Sequence, residues 1–176
     1  TRASRYPMAM HTVMALSLDL DDTLWPIWPT IERAELCLHE FLLLHAPKTA
    51  ERFPIPGMRH LREHVAQEHP ELAHDFTAQR RISLSHAFRL TGESQDLVDP
   101  AFEAFFAARN DVTLYQDCLP ALEHLAAKLP IIALTNGNAD LQLTGVARFF
   151  TECISAKCIG SAKPETPMFE AASRAL

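Results

Sequence analysis

Three carboxylates and a hydroxyl stand together in Asp19-Leu20-Asp21-Asp22-Thr23. They come directly after Val13 to Leu18, an apolar run that reads as a strand buried on both faces. In an open α/β sheet, the space beyond the carboxyl ends of the strands is where ligands bind. Asp19 and Asp21 point the same way if extended geometry continues for two more residues. Like charges at that range repel, an arrangement suited to dividing acid and base work between two groups. A divalent cation relieves the repulsion, and oxygen-only ligands favour magnesium over zinc. Alone, such a stretch is more often a solvated turn whose aspartates cap a helix. A calcium loop of the EF-hand type fails on position: its glycine falls on Leu24 and its glutamate on Thr30.

Two later segments add to this first one. Thr135-Asn136-Gly137 follows Ile131 to Leu134, a second buried strand, so a hydroxyl and main-chain N–H groups converge on the same end of the sheet. Such donors suit a phosphate, although a TNGN segment is also simply a good turn. Lys163, followed by Pro164 and a last helix, can bring a cation to the same crevice.

The elements that must position these groups fall into two kinds. Trp25-Pro26-Ile27-Trp28-Pro29 is a breaker segment. Helical patterns then run over Thr30 to His45, Gly57 to His69 and Glu71 to Leu90, and from Asp99-Pro100, an N-cap followed by a first-turn proline, to about Asn110. Phe102, Phe105 and Phe106 form the apolar stripe of the last of these. Beyond it, Asp117 caps a helix ended by Pro130, a short helix is expected over Ala139 to Ala147, a third strand over Glu152 to Ala156, and a final helix from Thr166 to Leu176. Strands alternating with helices imply a Rossmann-like parallel sheet with right-handed crossovers. The expected division is an α/β core from residues 12–27 and 112–176 with an all-α cap inserted at 28–111.

Composition sets bounds on partners. The 176 residues are 48% hydrophobic and 22% charged, ordinary globular proportions for a chain that buries roughly 70% of its unfolded surface. Sixteen basic against 22 acidic residues give a net charge of −6, which argues against nucleic-acid or anionic-membrane surfaces. No apolar run reaches the roughly 18 residues that a membrane span needs. Met8 to Leu18 faintly resembles a signal segment behind Arg2 and Arg5, but an acidic cluster follows at once and no cleavage site is evident. Thr1 to His11 reads as a leader without regular structure. Cys37, Cys118, Cys153 and Cys158 form no CxxC pair and read as reduced thiols buried as small hydrophobes, consistent with a cytoplasmic protein, monomeric or homodimeric. His60, His64, His69 and His74 read as solvated cap residues, since HExxH is absent. Arg80 and Arg81 read as a solvated helix face that could instead meet a phosphate or a flavin-like ring. Trp25 and Trp28 are divided between core packing and substrate stacking.

In this order and context, LDLDDTLW (Leu18 to Trp25), ALTNGN (Ala133 to Asn138) and AKPETPMF (Ala162 to Phe169) resemble the haloacid dehalogenase superfamily of hydrolases. The helical insert and PTIERAE (Pro29 to Glu35) are similar to its flavin mononucleotide phosphatase-like branch. The resemblance implies that Asp19 is the nucleophile and Asp21 the general acid and base. It implies that Thr135, Asn136 and Gly137 bind the phosphate, that Lys163 offsets charge, and that Thr23 braces the turn. It also implies Mg2+, held by the Asp19 carboxylate and by Asp21 through its main-chain carbonyl. The substrate implied is a small phosphorylated metabolite such as flavin mononucleotide or a phosphorylated riboflavin precursor. A dehalogenase, which expels halide, lacks the second aspartate, so Asp21 favours phosphoryl chemistry. The alternatives are a sugar-phosphate mutase-type phosphotransferase and a catalytically silent, truncated binding module.

Relatives carry a fourth, acidic GDD-like motif some twenty or more residues after the lysine. Here 13 residues follow Lys163, none of them aspartate, and Glu165 and Glu170 are poor substitutes. The expectation is a chain truncated at its C-terminus, with a magnesium ligand missing and an apolar sheet edge exposed. These 176 residues should then bind magnesium weakly and turn over more slowly than a relative carrying that motif. Titration calorimetry with magnesium, alongside turnover, checks this; full magnesium-dependent turnover contradicts it.

Overall fold

The structure is a computed structural model and describes residues 13–175; the leader expected over Thr1 to His11 lies outside them. Three parallel strands, β1 (Leu16–Leu18), β2 (Ile131–Thr135) and β3 (Glu152–Ser155), form a sheet in the order β1-β2-β3. The register pairs Leu18 with Ala133 and Thr135 with Ser155, so the carboxyl ends of all three strands lie side by side. Between β1 and β2 run helices α1 (Ile27–His45), α2 (Pro47–Arg52), α3 (Ile55–Glu68), α4 (Phe76–Thr91), α5 (Val98–Asn110) and α6 (Cys118–Ala126). After β3 come α7 (Ala156–Ile159) and α8 (Thr166–Arg174). This is the α/β architecture with a helical insertion.

All five residues of β2 are buried because both faces of the central strand are covered. Ile131 and Ala133 pack with Leu20, Trp25 and Leu122 of α6 on one face. Ile132 and Leu134 pack with Met168 and Ala172 of α8 on the other. The strand's period of two thus splits the sheet's apolar contacts into two cores. The insertion has a third core of its own, where Ala34, Leu38 and Leu42 of α1 meet Leu84 and Phe88 of α4 and Phe102 and Phe105 of α5.

Several local expectations are corrected. β1 is shorter than Val13 to Leu18 and is not buried on both faces: it lies at an edge of the sheet and Ser17 faces solvent. α1 begins at Ile27, and Pro29 sits in its first turn, where a missing N–H costs nothing. Glu71 to Leu90 is not one helix; a 3-10 turn at Pro70–Leu72 precedes α4, whose first turn is capped by Asp75 accepting from the Ala78 N–H at 2.9 Å. Asp99 lies inside α5 rather than capping it, and Asp117 makes no capping bond to α6.

Ala139 to Ala147 is a run of turns rather than a helix. Asp140 accepts from the N–H groups of Gln142 and Leu143, and Gly145 adopts the left-handed conformation at φ +78°, which ends helical winding. Among the cysteines only Cys118 is buried; Cys37, Cys153 and Cys158 are exposed and all four are free thiols. No helix among the described residues is long and apolar enough to cross a membrane.

The insertion's core sets its own stability. Phe88→Ala, at a fully buried position, should cost about 3–5 kcal/mol, whereas Leu44→Ala, 78% exposed, should stay within about 0.5 kcal/mol. Urea denaturation monitored by circular dichroism checks both.

Candidate active site

The turn after β1 is built by its aspartates. The chain leaves the sheet through Leu20, whose carbonyl accepts from the N–H groups of Thr23 and Leu24. Asp22 takes the left-handed conformation at φ 58°, and its Oδ1 accepts from the Ile27 N–H at 2.8 Å, so it restrains the start of α1. Thr23 enters the turn through its main chain, and its side chain is exposed. These contacts leave Asp19 and Asp21 to the sheet end.

Asp19 Oδ1 accepts from the Leu20 N–H at 2.9 Å and lies 2.8 Å from Lys163 Nζ. The same ammonium donates to the Leu134 carbonyl at 2.6 Å. Asn136 fixes the lysine's main chain from both sides. Its Oδ1 accepts from the Lys163 N–H at 2.7 Å, and its Nδ2 donates to the Lys163 carbonyl at 3.0 Å. The Asn136 amide is therefore engaged in positioning Lys163, which leaves its main chain and the second Nδ2 hydrogen to meet a ligand. Thr135 is buried and its Oγ1 accepts from the Gly137 N–H at 2.9 Å.

Asp21 is held by two partners. Trp25 Nε1 donates to its Oδ1 at 2.8 Å, and Arg109 Nη2 donates to both carboxylate oxygens at 2.7 Å. Arg109 comes from the last turn of α5, is 1% exposed, and also donates through Nε to Asn138 at 3.4 Å. Its Nη1 is buried without a hydrogen-bond partner among the described residues. Gly137 is needed for space: a Cβ there would sit 2.3 Å from Asp21 Oδ2 and 3.3 Å from both Arg109 Nη2 and Thr135 Oγ1. Asp19, Asp21, Thr135, Asn136, Gly137 and Lys163 thus gather at one end of the sheet, with Arg109 as a residue the sequence reading missed. Its signal was its place on the stripe of Phe102 and Phe105, where a charge interrupts an apolar face.

Beside Asp21 a crevice of about 220 Å³ opens between the insertion and the sheet. Trp25 is fully buried in the core, whereas Trp28, 55% exposed, lies on the crevice rim under the Arg59 guanidinium. Arg80 faces the crevice and is buried, while Arg81 is half-exposed and pairs with Asp99 and Glu103. Burial, and then the like charge of Arg62, bring Arg80 down to about 9 against an opposing pull from Glu35. His64 and His69 pair with Glu68 and Glu71 on the surface.

A family model described as haloacid dehalogenase-like hydrolase matches residues 13–176. This chain belongs to the haloacid dehalogenase-like hydrolases. It is 31% identical over 176 residues to the 5-amino-6-(5-phospho-D-ribitylamino)uracil phosphatase YigB of Escherichia coli strain K12, an alignment covering 98% of this chain and 74% of that protein. A solved 2-haloacid dehalogenase from Pseudomonas syringae pv. Tomato DC3000 matches with a TM-score of 0.84 and 35% identity, over 93% of this chain and 73% of the other. The HAD-hydrolase YfnB from Bacillus subtilis matches with a TM-score of 0.62 at 16% identity, over 93% and 74%, a likeness of fold alone.

For this hydrolase the donors for a magnesium ion can be tested. Asp19 Oδ2 and the Asp21 main-chain carbonyl accept no hydrogen bond from a described residue, and both are oxygens, the ligand type magnesium takes. They amount to two of six positions, which fits an ion that keeps waters and substrate oxygens for the rest. No group of three or more His, Cys, Asp or Glu side chains among the described residues converges on a metal.

Gly137→Ala should push the Asp21 carboxylate off Arg109 and lower hydrolytic turnover by about 100-fold, the scale of an ångström-sized misplacement. A crystal structure of the variant with Asp21 unmoved, or unchanged turnover, contradicts this.

Proposed function

We propose that the chain hydrolyses small phosphate monoesters through an aspartyl-phosphate on Asp19, with magnesium. The observation that carries this reading is the pairing of Asp19 with Lys163 next to a second carboxylate, Asp21, at the carboxyl end of a parallel sheet. The Asp19 carboxylate attacks phosphorus and forms the P–O bond as the ester P–O bond breaks. Asp21, once it has taken a proton from solvent, gives that proton to the departing alkoxide. To do so, Oδ2 turns from Arg109 to the leaving oxygen, since both carboxylate oxygens are engaged in the resting arrangement.

Asp21 then takes a proton from water, whose oxygen attacks phosphorus, releases inorganic phosphate and restores Asp19. Lys163 offsets negative charge on Asp19 and the phosphoryl group, while the Thr135 hydroxyl, oriented by the Gly137 N–H that donates to its oxygen, and the main-chain N–H of Asn136 hold phosphoryl oxygens. Magnesium, held by the Asp19 carboxylate and the Asp21 carbonyl, would screen the repulsion between nucleophile and phosphate.

In this reading the core comprises residues 12–27 and 112–176, and the insertion at 28–111 acts as a cap that excludes water around the leaving group. The likeness to the E. coli phosphatase supports a phosphorylated ribitylaminouracil, a riboflavin precursor, as substrate; flavin mononucleotide comes from the motif resemblance, and a cytoplasmic setting from the four free thiols. The likeness to a 2-haloacid dehalogenase favours a second reading, displacement of halide by Asp19. Asp21 weighs against it, because a departing halide needs no proton.

Asp19→Asn should reduce phosphate release from flavin mononucleotide to background with the melting temperature nearly unchanged, because the Asp19 side chain is 42% exposed. Retained turnover removes the nucleophile assignment. Chloride release from 2-chloropropionate by the unsubstituted protein, without phosphate release from any ester, replaces this reading with the second.

A further inference from the structure

The crevice beside Asp21 carries more positive charge than its residues neutralise. Three guanidinium groups, of Arg62, Arg80 and Arg109, line it, and its one carboxylate is that of Asp21. That carboxylate is already paired to Arg109 Nη2, which leaves Arg109 Nη1 buried and without a partner. Arg80 is 7% exposed and lies over the Phe105 ring, its guanidinium carbon 3.4 Å from the ring centre. No carboxylate among the described residues lies within ion-pair distance of it. The nearby Glu35 is taken by Arg59. A buried charge without a partner is costly, and that of Arg80, facing the crevice, is compensated when a ligand supplies the acceptors. The guanidinium fork matches two oxygens held side by side in a plane. On the rim, Trp28 and Phe76 are 55% and 42% exposed, apolar faces against which a flat group can lie.

We propose that this crevice is the subsite for the alcohol part of the substrate, and that Arg80, with Arg62, binds a planar group carrying two oxygen acceptors on it. The proposal rests on the phosphatase reading for the ester but assigns residues and ligand chemistry which that reading does not supply. Two sources supply two coplanar oxygen acceptors: a carboxylate, which one guanidinium fork takes whole, and the carbonyl oxygens of a dioxopyrimidine-type ring, which flank a ring N–H and are met by separate guanidinium groups. Asp21 sits between this crevice and Asp19, so the bond to be broken would join the two halves of the site.

The test uses the full chain with magnesium and three esters: flavin mononucleotide for the ring dione, phosphoglycolate for the carboxylate, and glycerol 1-phosphate for neither. Arg80→Gln should cut the ratio of kcat/KM for the preferred acceptor-bearing ester over glycerol 1-phosphate by about 10- to 100-fold, mainly through KM, as loss of a charged hydrogen bond does. Arg80→Lys should recover only part of the ratio, because a point charge replaces a fork. Which ester shows the effect identifies the source. Arg62→Gln, at a half-buried position, should shift the same ratio in the same direction and guards against misfolding of the buried variant. An unchanged ratio, with all three esters falling together or none falling, overturns the proposal.

Binding separates this outcome from failure of the phosphatase reading. Quenching of riboflavin fluorescence and displacement by glycolate need no turnover. If no ester is hydrolysed but either ligand binds and is lost in Arg80→Gln, the subsite stands and the reaction is wrong. If the esters turn over while neither ligand is sensitive to Arg80, the reaction stands and the subsite is wrong.

Discussion

A single ammonium group ties the site together. Lys163 Nζ reaches the carbonyl of Leu134 at the end of β2 and the carboxylate of Asp19 at the end of β1. Lys163 is 27 positions along the chain from the residue just past β2 whose side chain grips its main chain, Asn136. An ion pair as exposed as this one, 20% and 42% on its two sides, contributes roughly 0–1 kcal/mol to folding. Its geometry is therefore not a product of its own attraction. It is imposed by the two Asn136 bonds and by the parallel register that sets Leu18 beside Ala133. The sheet and the clamp hold a charge where stability alone would not keep it.

A second constraint joins the insertion to the sheet. Arg109, near the end of α5, reaches back to Asp21 at the end of β1, and the pair is almost dry on the arginine side. Both charges lose solvation there, and the attraction recovers this only with full hydrogen bonding, which Nη1 does not have. Any displacement of α5 against β1 must break the pair or carry Asp21 with it. The position of the insertion is thus read directly at a carboxylate two residues from Asp19, with Gly137 leaving the space that makes the contact possible.

What could be read from the sequence follows from how local each determinant is. The β2 strand and the carboxylate cluster after β1 were legible because an apolar run and its polar end are contiguous. The turn over Ala139 to Ala147 was misread because its apolar residues imitate a helical face. Its geometry is set instead by Asp140 bonding to its own main chain and by the left-handed Gly145. α1 was started too late because Pro29 was treated as a breaker, although a first turn has no use for its N–H. Arg109 was missed since its partner is 88 positions away and no local pattern encodes that distance. The motif resemblance assigns Asn136 to phosphate, and only the three-dimensional contact shows its amide engaged on Lys163. The exposed cysteines escaped for the same reason: burial is a property of neighbours, not of residue type.

The two constraints together explain how one fold can carry different chemistries. The chain is 35% identical to a structure described as a 2-haloacid dehalogenase and 31% identical to a phosphatase, so the architecture alone does not select between them. What differs between the reactions is the need to protonate a leaving group, which in the proposed reaction falls to Asp21. Asp21 is also the one candidate catalytic residue that lines the crevice under the insertion. In the proposed reaction, the leaving oxygen lies at this junction between the sheet end and the guanidinium-lined wall. A ligand held there by Arg80 lies beside the pair that Arg109 makes with Asp21, so the identity of the alcohol and the freedom of the acid to reach it are set on one wall of the crevice.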